Sequence, residues 1–157
     1  CSALGAVGYA DGPGHVEVMF DEAAGPGLIE AAGRGAGFMV FDGLVPATSG
    51  YDIATQTALQ AVGVEPSPVP EGRRPVVLRF FPNQAGLVRS FDGFDVANRI
   101  DGVEAASFVE IGERVGVAQT DGDRLGYVLT SAATVAKSQR LADEAETLIR
   151  FHIEPPS

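Results

Sequence analysis

One cysteine and two histidines occur in 157 residues. A single thiol rules out an internal disulfide, and three such side chains cannot complete a zinc site. Bases are scarce as well: 11 Lys and Arg stand against 21 Asp and Glu, a net charge of −10. That balance argues against a nucleic-acid backbone or an anionic membrane as partner. It leaves nucleotides open, because local groups and Mg²⁺ can handle phosphate charge. No apolar run approaches the roughly 20 residues a spanning helix needs, and no signal-peptide pattern is seen. A cytoplasmic protein is the default expectation. The length allows one domain or two small ones, enough for a real core.

What is present is organised around residues 15–37. From His15 to Phe20 the residues alternate, with Val16, Val18 and Phe20 on one face and His15, Glu17 and Met19 on the other. That period of two predicts a half-buried strand. Residues 23–27 supply turn chemistry, and Leu28 to Ala32 resume an apolar run, so a β-hairpin is expected. With its turn centred near Ala23 and Ala24, Glu17 faces Glu30 across the strands. Side chains so opposed have Cβ atoms about 5 Å apart, and two carboxylates at that range repel unless a cation joins them. A hard divalent ion with oxygen ligands, Mg²⁺ above all, suits the gap. Arg34, flanked by Gly33 and Gly35, adds a fixed positive fork suited to a phosphoryl or acyl-phosphate group. The competing reading is an ordinary acidic surface hairpin, and a one-residue slip would send Glu30 to the other face.

Three stretches, Gly-Pro-Gly-His-Val-Glu-Val (12–18), Gly-Pro-Gly-Leu-Ile-Glu-Ala-Ala-Gly-Arg-Gly-Ala-Gly-Phe (25–38) and Thr-Ser-Gly-Tyr-Asp-Ile (48–53), resemble the last third of an ATP-grasp carboxylate–amine ligase. The likeness is to the L-amino-acid ligase (dipeptide synthase) branch. In that family the first strand ends in a metal-binding Glu, matched by Glu17. The next carries Glu-x-Asn-x-Arg, matched by Glu30 and Arg34, with Ala32 at the Asn position. Alanine cannot ligate metal, so the resemblance leaves the second magnesium position short of one ligand, to be completed by water or substrate phosphate. It further implies Met19 and Ile29 in a nucleotide (adenine) pocket, plain core being the alternative, and Gly35, Gly37 and His15 against substrate. For His15, a histidine that merely packs or hydrogen-bonds at strand entry is the competing reading.

Gly33 to Gly37 lacks the GxGxxG spacing of a dinucleotide fold and reads as a phosphate-cradling loop. Phe38 to Val45 is mixed apolar, a helix beside the substrate site in the family. Tyr51 to Val62 places Ala54, Ala58, Ala61 and Val62 at helical spacing, with Asp52 near the start. Pro66, Pro68, Pro70 and Pro75 then predict an extended linker. Beyond it, strands are expected at 76–81, 86–91, 103–111, 114–119, 125–131 and 149–154. A short helix is expected at 95–100, and a longer one, N-capped by Thr134, runs to Leu148 with Val135, Leu141, Ala145, Leu148 and Ile149 as its apolar stripe. The Thr120-Asp-Gly-Asp run reads as a turn with a local Asp–Arg pair, not a calcium loop. His152 reads as structural. Gly86-Leu-Val-Arg-Ser-Phe-Asp-Gly, Asp121-Gly-Asp-Arg-Leu-Gly-Tyr-Val and the closing Ala-Asp-Glu-Ala…Ile-Arg-Phe resemble the small C-terminal domain of L-amino-acid ligases.

The expected fold is therefore α+β: residues 1–63 as the C-terminal portion of an ATP-grasp catalytic domain (antiparallel hairpin plus helices), 64–75 as a Pro-rich linker, and 76–157 as a small α+β domain with a mostly antiparallel sheet. The resemblance implies ATP as co-substrate, Mg or Mn, carboxylate and amine substrates of amino-acid type joined through an acyl phosphate, a homodimer, and no nucleic acid or membrane. The missing N-terminal half would belong to the same protein or to a separate chain. The lysines that grip ATP in the family lie in that half, and Lys137 is the one lysine here. The fragment alone would not turn over ATP. Two other readings stay open. Ala32 favours a non-catalytic remnant acting as a binding or assembly subunit, and Cys1 could serve as the nucleophile of an N-terminal-nucleophile hydrolase.

Overall fold

A computed structural model describes residues 2–156; Cys1, and with it the hydrolase reading, lies outside the described residues. The chain divides into two compact units, one of residues 1–46 and 51–70, the other of 47–50 and 71–157.

In the first unit, α1 (Ser2–Ala6) leads to the antiparallel strands β1 (His15–Asp21) and β2 (Gly25–Ala32). Asp21 shapes the turn: its carboxylate accepts from Ala23 N at 2.9 Å and Ala24 N at 2.7 Å. Those two bonds hold that carboxyl below its usual range, Ala24 contributing most. Pairing runs His15 with Ala32, Val16 with Ala31 and Glu17 with Glu30, and slips by one residue before Val18 meets Leu28. Ile29 is thus the extra residue of a bulge. The expected half-buried strand is not found. Val18, Met19, Phe20, Leu28 and Ile29 are all more than half exposed, because the two strands form a sheet of their own and neither face is covered along its length.

Residues 40–44 form a π-helical turn, followed by α2 (Val45–Ser49) and α3 (Ile53–Ala61). Asp52 caps α3 by accepting from Thr55 N at 3.0 Å and Thr55 Oγ1 at 2.6 Å. The face of α3 turned inward is not the alanine stripe. Ile53, Gln56, Thr57 and Leu59 are half-buried, whereas Ala54, Ala58, Ala61 and Val62 face solvent. The chain beyond α3 explains this, since Gln56 Oε1 accepts from Ser67 N at 2.8 Å and Tyr51 Oη donates to Ser67 O at 3.0 Å. The start of the proline-rich stretch is thereby tied to α3.

The second unit holds β3 (Val76–Phe81), β4 (Gly86–Asp92), α4 (Phe94–Ala97), β5 (Val103–Ser107), β6 (Arg114–Val115), β7 (Gly126–Ser131), α5 (Val135–Leu148) and β8 (Arg150–Glu154). All pairings are antiparallel. They build two three-stranded sheets, β3-β7-β5 and β6-β4-β8. β5 stops at Ser107, whose hydroxyl donates to Val109 O at 2.8 Å and turns the chain. β6 keeps two residues of the expected six.

Thr134 caps α5, accepting from Lys137 N at 3.2 Å. Ser138, Ala142 and Ala145 are the buried residues of α5, while Val135 is 56 % exposed and Ile149 caps the helix from outside it. These small residues let the helix lie close on the fully buried Val128 and Thr130 of β7. Phe81, Phe91, Phe94 and Phe151, with ring centroids 5.4–6.2 Å apart, join the two sheets and α4.

The motif glycines of this unit answer to backbone proximity. A Cβ at Gly93, which has φ +88°, would collide with the Leu148 carbonyl. One at Gly126 would collide with Ala106 O, and one at Gly86 would stand 2.6 Å from Ile153 Cγ2. Gly122, by contrast, is nearly open.

Candidate functional site

Chemistry-bearing side chains of the first unit gather on one face of the hairpin. The register sets Glu17 directly against Glu30, with His15 and Ala32 as the next pair on the same side. Both carboxylates are about half exposed, at 51 % and 50 %. Arg34 Nη2 lies 3.4 Å from Glu30 Oε1, and its Nη1 donates to Gly35 O at 3.0 Å. His15 Nε2 is 3.7 Å from Glu17 Oε1, while its Nδ1 is buried without a hydrogen-bond partner. Two cationic or potentially cationic groups therefore flank two opposed acids.

The glycines around Arg34 do not themselves make the bend in this segment. None of Gly33, Gly35 and Gly37 has a positive φ. A Cβ on Gly33 would stand 2.5 Å from the Tyr9 ring, and one on Gly35 2.6 Å from the Phe41 ring, so two aromatics press directly on this backbone. Gly37 faces open space. The bend comes one residue later: Phe38 (φ 35°) and Met39 (φ 63°) are both left-handed and lead into the π turn. Non-glycine residues held this way cost about 1–2 kcal/mol each, and π turns recur at functional sites. Nothing in the residue types signalled it.

The donor set suits a hard cation only in part. Two carboxylates from adjacent strands are the right ligand type for Mg²⁺, which keeps waters and phosphate oxygens for its other positions. No group of three or more His, Cys, Asp or Glu able to hold a metal exists among the described residues. Ala32 adds no donor. Met19 and Ile29, 65 % and 59 % exposed, lie on the hairpin surface and belong to no core.

Elsewhere, Arg124 pairs with Asp121 at 2.6 Å and stacks over the Phe80 ring at 3.9 Å. This agrees with the turn reading of that segment, and Asp123 closes a capping box with Thr120. The same turn borders a cleft of about 410 Å³ that also involves Pro82, Asn83 and Gln119. His152 stands 3.6 Å from Asp92 near the β4–β8 edge.

Comparison with known structures places this arrangement in a fold class. The chain is similar to L-amino acid ligase from Bacillus licheniformis (TM-score 0.79, 22 % identity, covering 97 % of this chain and 38 % of that one). It is also similar to phosphoribosylglycinamide synthetase from Anaerococcus prevotii (0.84, 17 %, 97 % and 39 %), and to N5-carboxyaminoimidazole ribonucleotide synthetase from Thermotoga maritima (0.72, 14 %, 98 % and 40 %). The fold is that of the C-terminal region of ATP-grasp ligases. Within that class, residues 79–154 match the family model described as L-amino acid ligase C-terminal domain 2, as the sequence resemblance implied. No curated protein matches. The chain spans about two fifths of the length of these structural relatives. No helix among the described residues is long and apolar enough to cross a membrane.

Proposed function

We propose that this chain is the C-terminal part of an ATP- and magnesium-dependent ligase that joins a carboxylate to an amine, both of amino-acid type, through an acyl phosphate. The observation that carries this reading is the Glu17–Glu30 pairing with Arg34 at 3.4 Å. Glu17 and Glu30 would hold Mg²⁺, with Ala32 leaving one position to water or phosphate. When bound, that ion would neutralise phosphate charge during transfer. The substrate carboxylate takes the terminal phosphoryl group of ATP and releases ADP. The amine then attacks the acyl carbon, and phosphate leaves as the amide forms.

Arg34 changes partner in this scheme. Without metal its guanidinium balances Glu30. Once Glu30 is engaged, the fork is released toward the negative charge of the transferring phosphoryl and the tetrahedral centre. Gly35 and Gly37 leave backbone without side chains beside it, His15 borders the same face, and Met19 and Ile29 offer apolar surface to an adenine ring. Domain limits of 1–63, 64–75 and 76–157, a homodimeric assembly and a cytoplasmic setting belong to this proposal. Ala32 supports a second reading, a non-catalytic remnant that binds without turnover.

The test uses the complete gene product with Mg·ATP and amino-acid pairs, with Glu30→Ala as control. Phosphate release that requires an amino-acid pair and disappears in Glu30→Ala supports the ligase. Nucleotide binding without release supports the remnant.

A further inference from the structure

The hairpin ladder ends at the His15–Ala32 pair, and Arg34 lies two residues beyond it. Its own ion pair does little to hold it there. The side chain is 59 % exposed, the approach to Glu30 is 3.4 Å, and exposed pairs of that kind contribute little. One side chain reaches both strands past the end of the ladder. Tyr9, half-buried between exposed neighbours, lays its ring against Gly33, where a built Cβ would stand 2.5 Å from Cε2 and 2.7 Å from Cδ2. Its hydroxyl donates to Pro13 O at 2.9 Å, two residues before β1 begins. Its backbone N donates to Leu4 O at 3.1 Å, so the residue is anchored at both its main chain and its tip. Tyr9 thus touches the segment that enters the Glu17 strand and the segment that carries Arg34. Phe41 presses on the other flank of the arginine, at Gly35.

We propose that Tyr9 is a positioning residue of the ligase, a strut that fixes the Arg34 backbone relative to the strand bearing Glu17. This rests on the ligase reading and adds the part that holds its arginine. The need for such a part is entropic. Glu17 and Glu30 are placed by the ladder. Arg34 instead lies among Gly33, Gly35 and Gly37, and glycine loses more freedom on ordering than any other residue. A guanidinium displaced by about 1 Å from a transferring phosphoryl group costs on the order of 10²-fold in rate. The ring against Gly33 removes that freedom from one side of Arg34, and the Pro13 bond refers it to the strand that leads to Glu17.

The test compares Tyr9→Leu, Tyr9→Phe and Gly33→Ala in the complete gene product, with Gly5→Ala as reference, since a Cβ there meets nothing within 4 Å. Tyr9→Leu removes the ring and Gly33→Ala displaces it. Each should lower kcat for amide synthesis by about 10²-fold. Mn²⁺ affinity, read by electron paramagnetic resonance, should stay unchanged, because the carboxylates remain on the ladder. Tyr9→Phe keeps the ring and loses one neutral hydrogen bond, so about three- to ten-fold is expected. In an Arg34→Ala background Tyr9→Leu should lower the residual rate no further, since the group it positions is gone. A readout without turnover is ¹⁵N relaxation of arginine-labelled protein: the Arg34 amide order parameter should fall from about 0.85 in the parent to below about 0.6 in Tyr9→Leu. Parental kcat or an unchanged Arg34 order parameter in Tyr9→Leu overturns the proposal, as does Gly33→Ala behaving like Gly5→Ala. A further loss in the Arg34→Ala background, or weakened Mn²⁺ binding, also overturns it, because Tyr9 would then serve something other than the arginine. A parent that makes no amide, with the order parameter still falling in Tyr9→Leu, sinks the ligase reading and leaves the strut standing. Amide synthesis that Tyr9→Leu leaves intact does the reverse.

Discussion

Replacing Gly93 and Gly112 by alanine separates two costs that usually arrive together. Both residues are left-handed, with φ +88° and +92°, but Gly112 has nothing within 4 Å of a built Cβ. At Gly93 the Cβ would collide with the Leu148 carbonyl oxygen and stand 2.6 Å from its carbon and 3.0 Å from Ile149 Cα, backbone at the joint between α5 and β8. The unfolded-state effect of Gly→Ala is the same at both sites and cancels in the comparison. Gly112→Ala should cost about 1 kcal/mol, the left-handed penalty alone. Gly93→Ala adds displacement of a joint held by the Ile149 N to Ala145 O bond and by the β4–β8 ladder. Overpacking of that kind costs about 1–3 kcal/mol more, giving roughly 3 kcal/mol in total. In a unit of this size, about 3 kcal/mol lowers the midpoint by roughly 10–20 °C, against about 4–8 °C for Gly112→Ala. Native-state amide exchange at Val88 and Val128, both fully buried, reads the stability of this unit. Equal losses in the two variants would refute the reasoning, because the Leu148 contact would then contribute nothing.

Thr130→Val keeps the shape of a fully buried side chain but removes the hydroxyl that donates to Ser138 O at 2.8 Å; a loss of about 1–3 kcal/mol is expected by urea unfolding. The Asp123 carboxyl lies below its usual range, chiefly through the Gln119 N–H and then through Thr120. A depressed folded value contributes stability above the unfolded value of about 3.9 and loses it as pH falls through the folded one, so Asp123→Asn should flatten the acid limb of a stability–pH curve in that window. Glu17→Gln relieves the repulsion across the pair, so in metal-free buffer β1 and β2 should exchange amides more slowly, by an amount near 0.5 kcal/mol. On the proposed ligase reading, the same change in the complete gene product should cut magnesium-dependent phosphate release by about 10²-fold.

The parts of this structure that local chemistry decides were legible from residues. Turn residues around 23 announced the hairpin, and Asp52 and Thr134 announced two helix starts; the turn alone would pair Glu17 with Ile29, and the bulge at Ile29, which no residue signalled, sets Glu17 against Glu30. The face of α3 was not legible, because its more apolar side is not the one its neighbours cover, whereas on α5 the expected Ala145 and Ile149 are buried, Leu148 packs against them, and of that stripe Val135 alone is exposed. Gln56 goes inward since Ser67 needs its oxygen, and Ser138 joins the buried face of α5 through its hydroxyl, which donates to Thr130 O at 3.0 Å. The division into two sheets was equally out of reach: Leu87 pairs both with Arg114 and with Glu154, partners far along the chain that no window of residues contains. Within the site, acids and arginine could be named in advance. The left-handed Phe38 and Met39 could not, since only tertiary packing holds such residues there.

The matched family model and the candidate chemistry lie in different units. Residues 79–154, which match the ligase C-terminal domain, owe their motif to glycines that admit neighbouring backbone and to a phenylalanine cluster. A match there reports that this packing is kept. It carries no information about Glu17, Glu30 or Arg34, which lie outside it. The hairpin that bears those residues buries little of itself, and opposing two carboxylates on it costs roughly 0.2–1 kcal/mol. Gly93→Ala acts at the α5–β8 joint and Glu30→Ala at the β1–β2 pair, so amide exchange at Val128 reads the first and exchange in β1 and β2 reads the second.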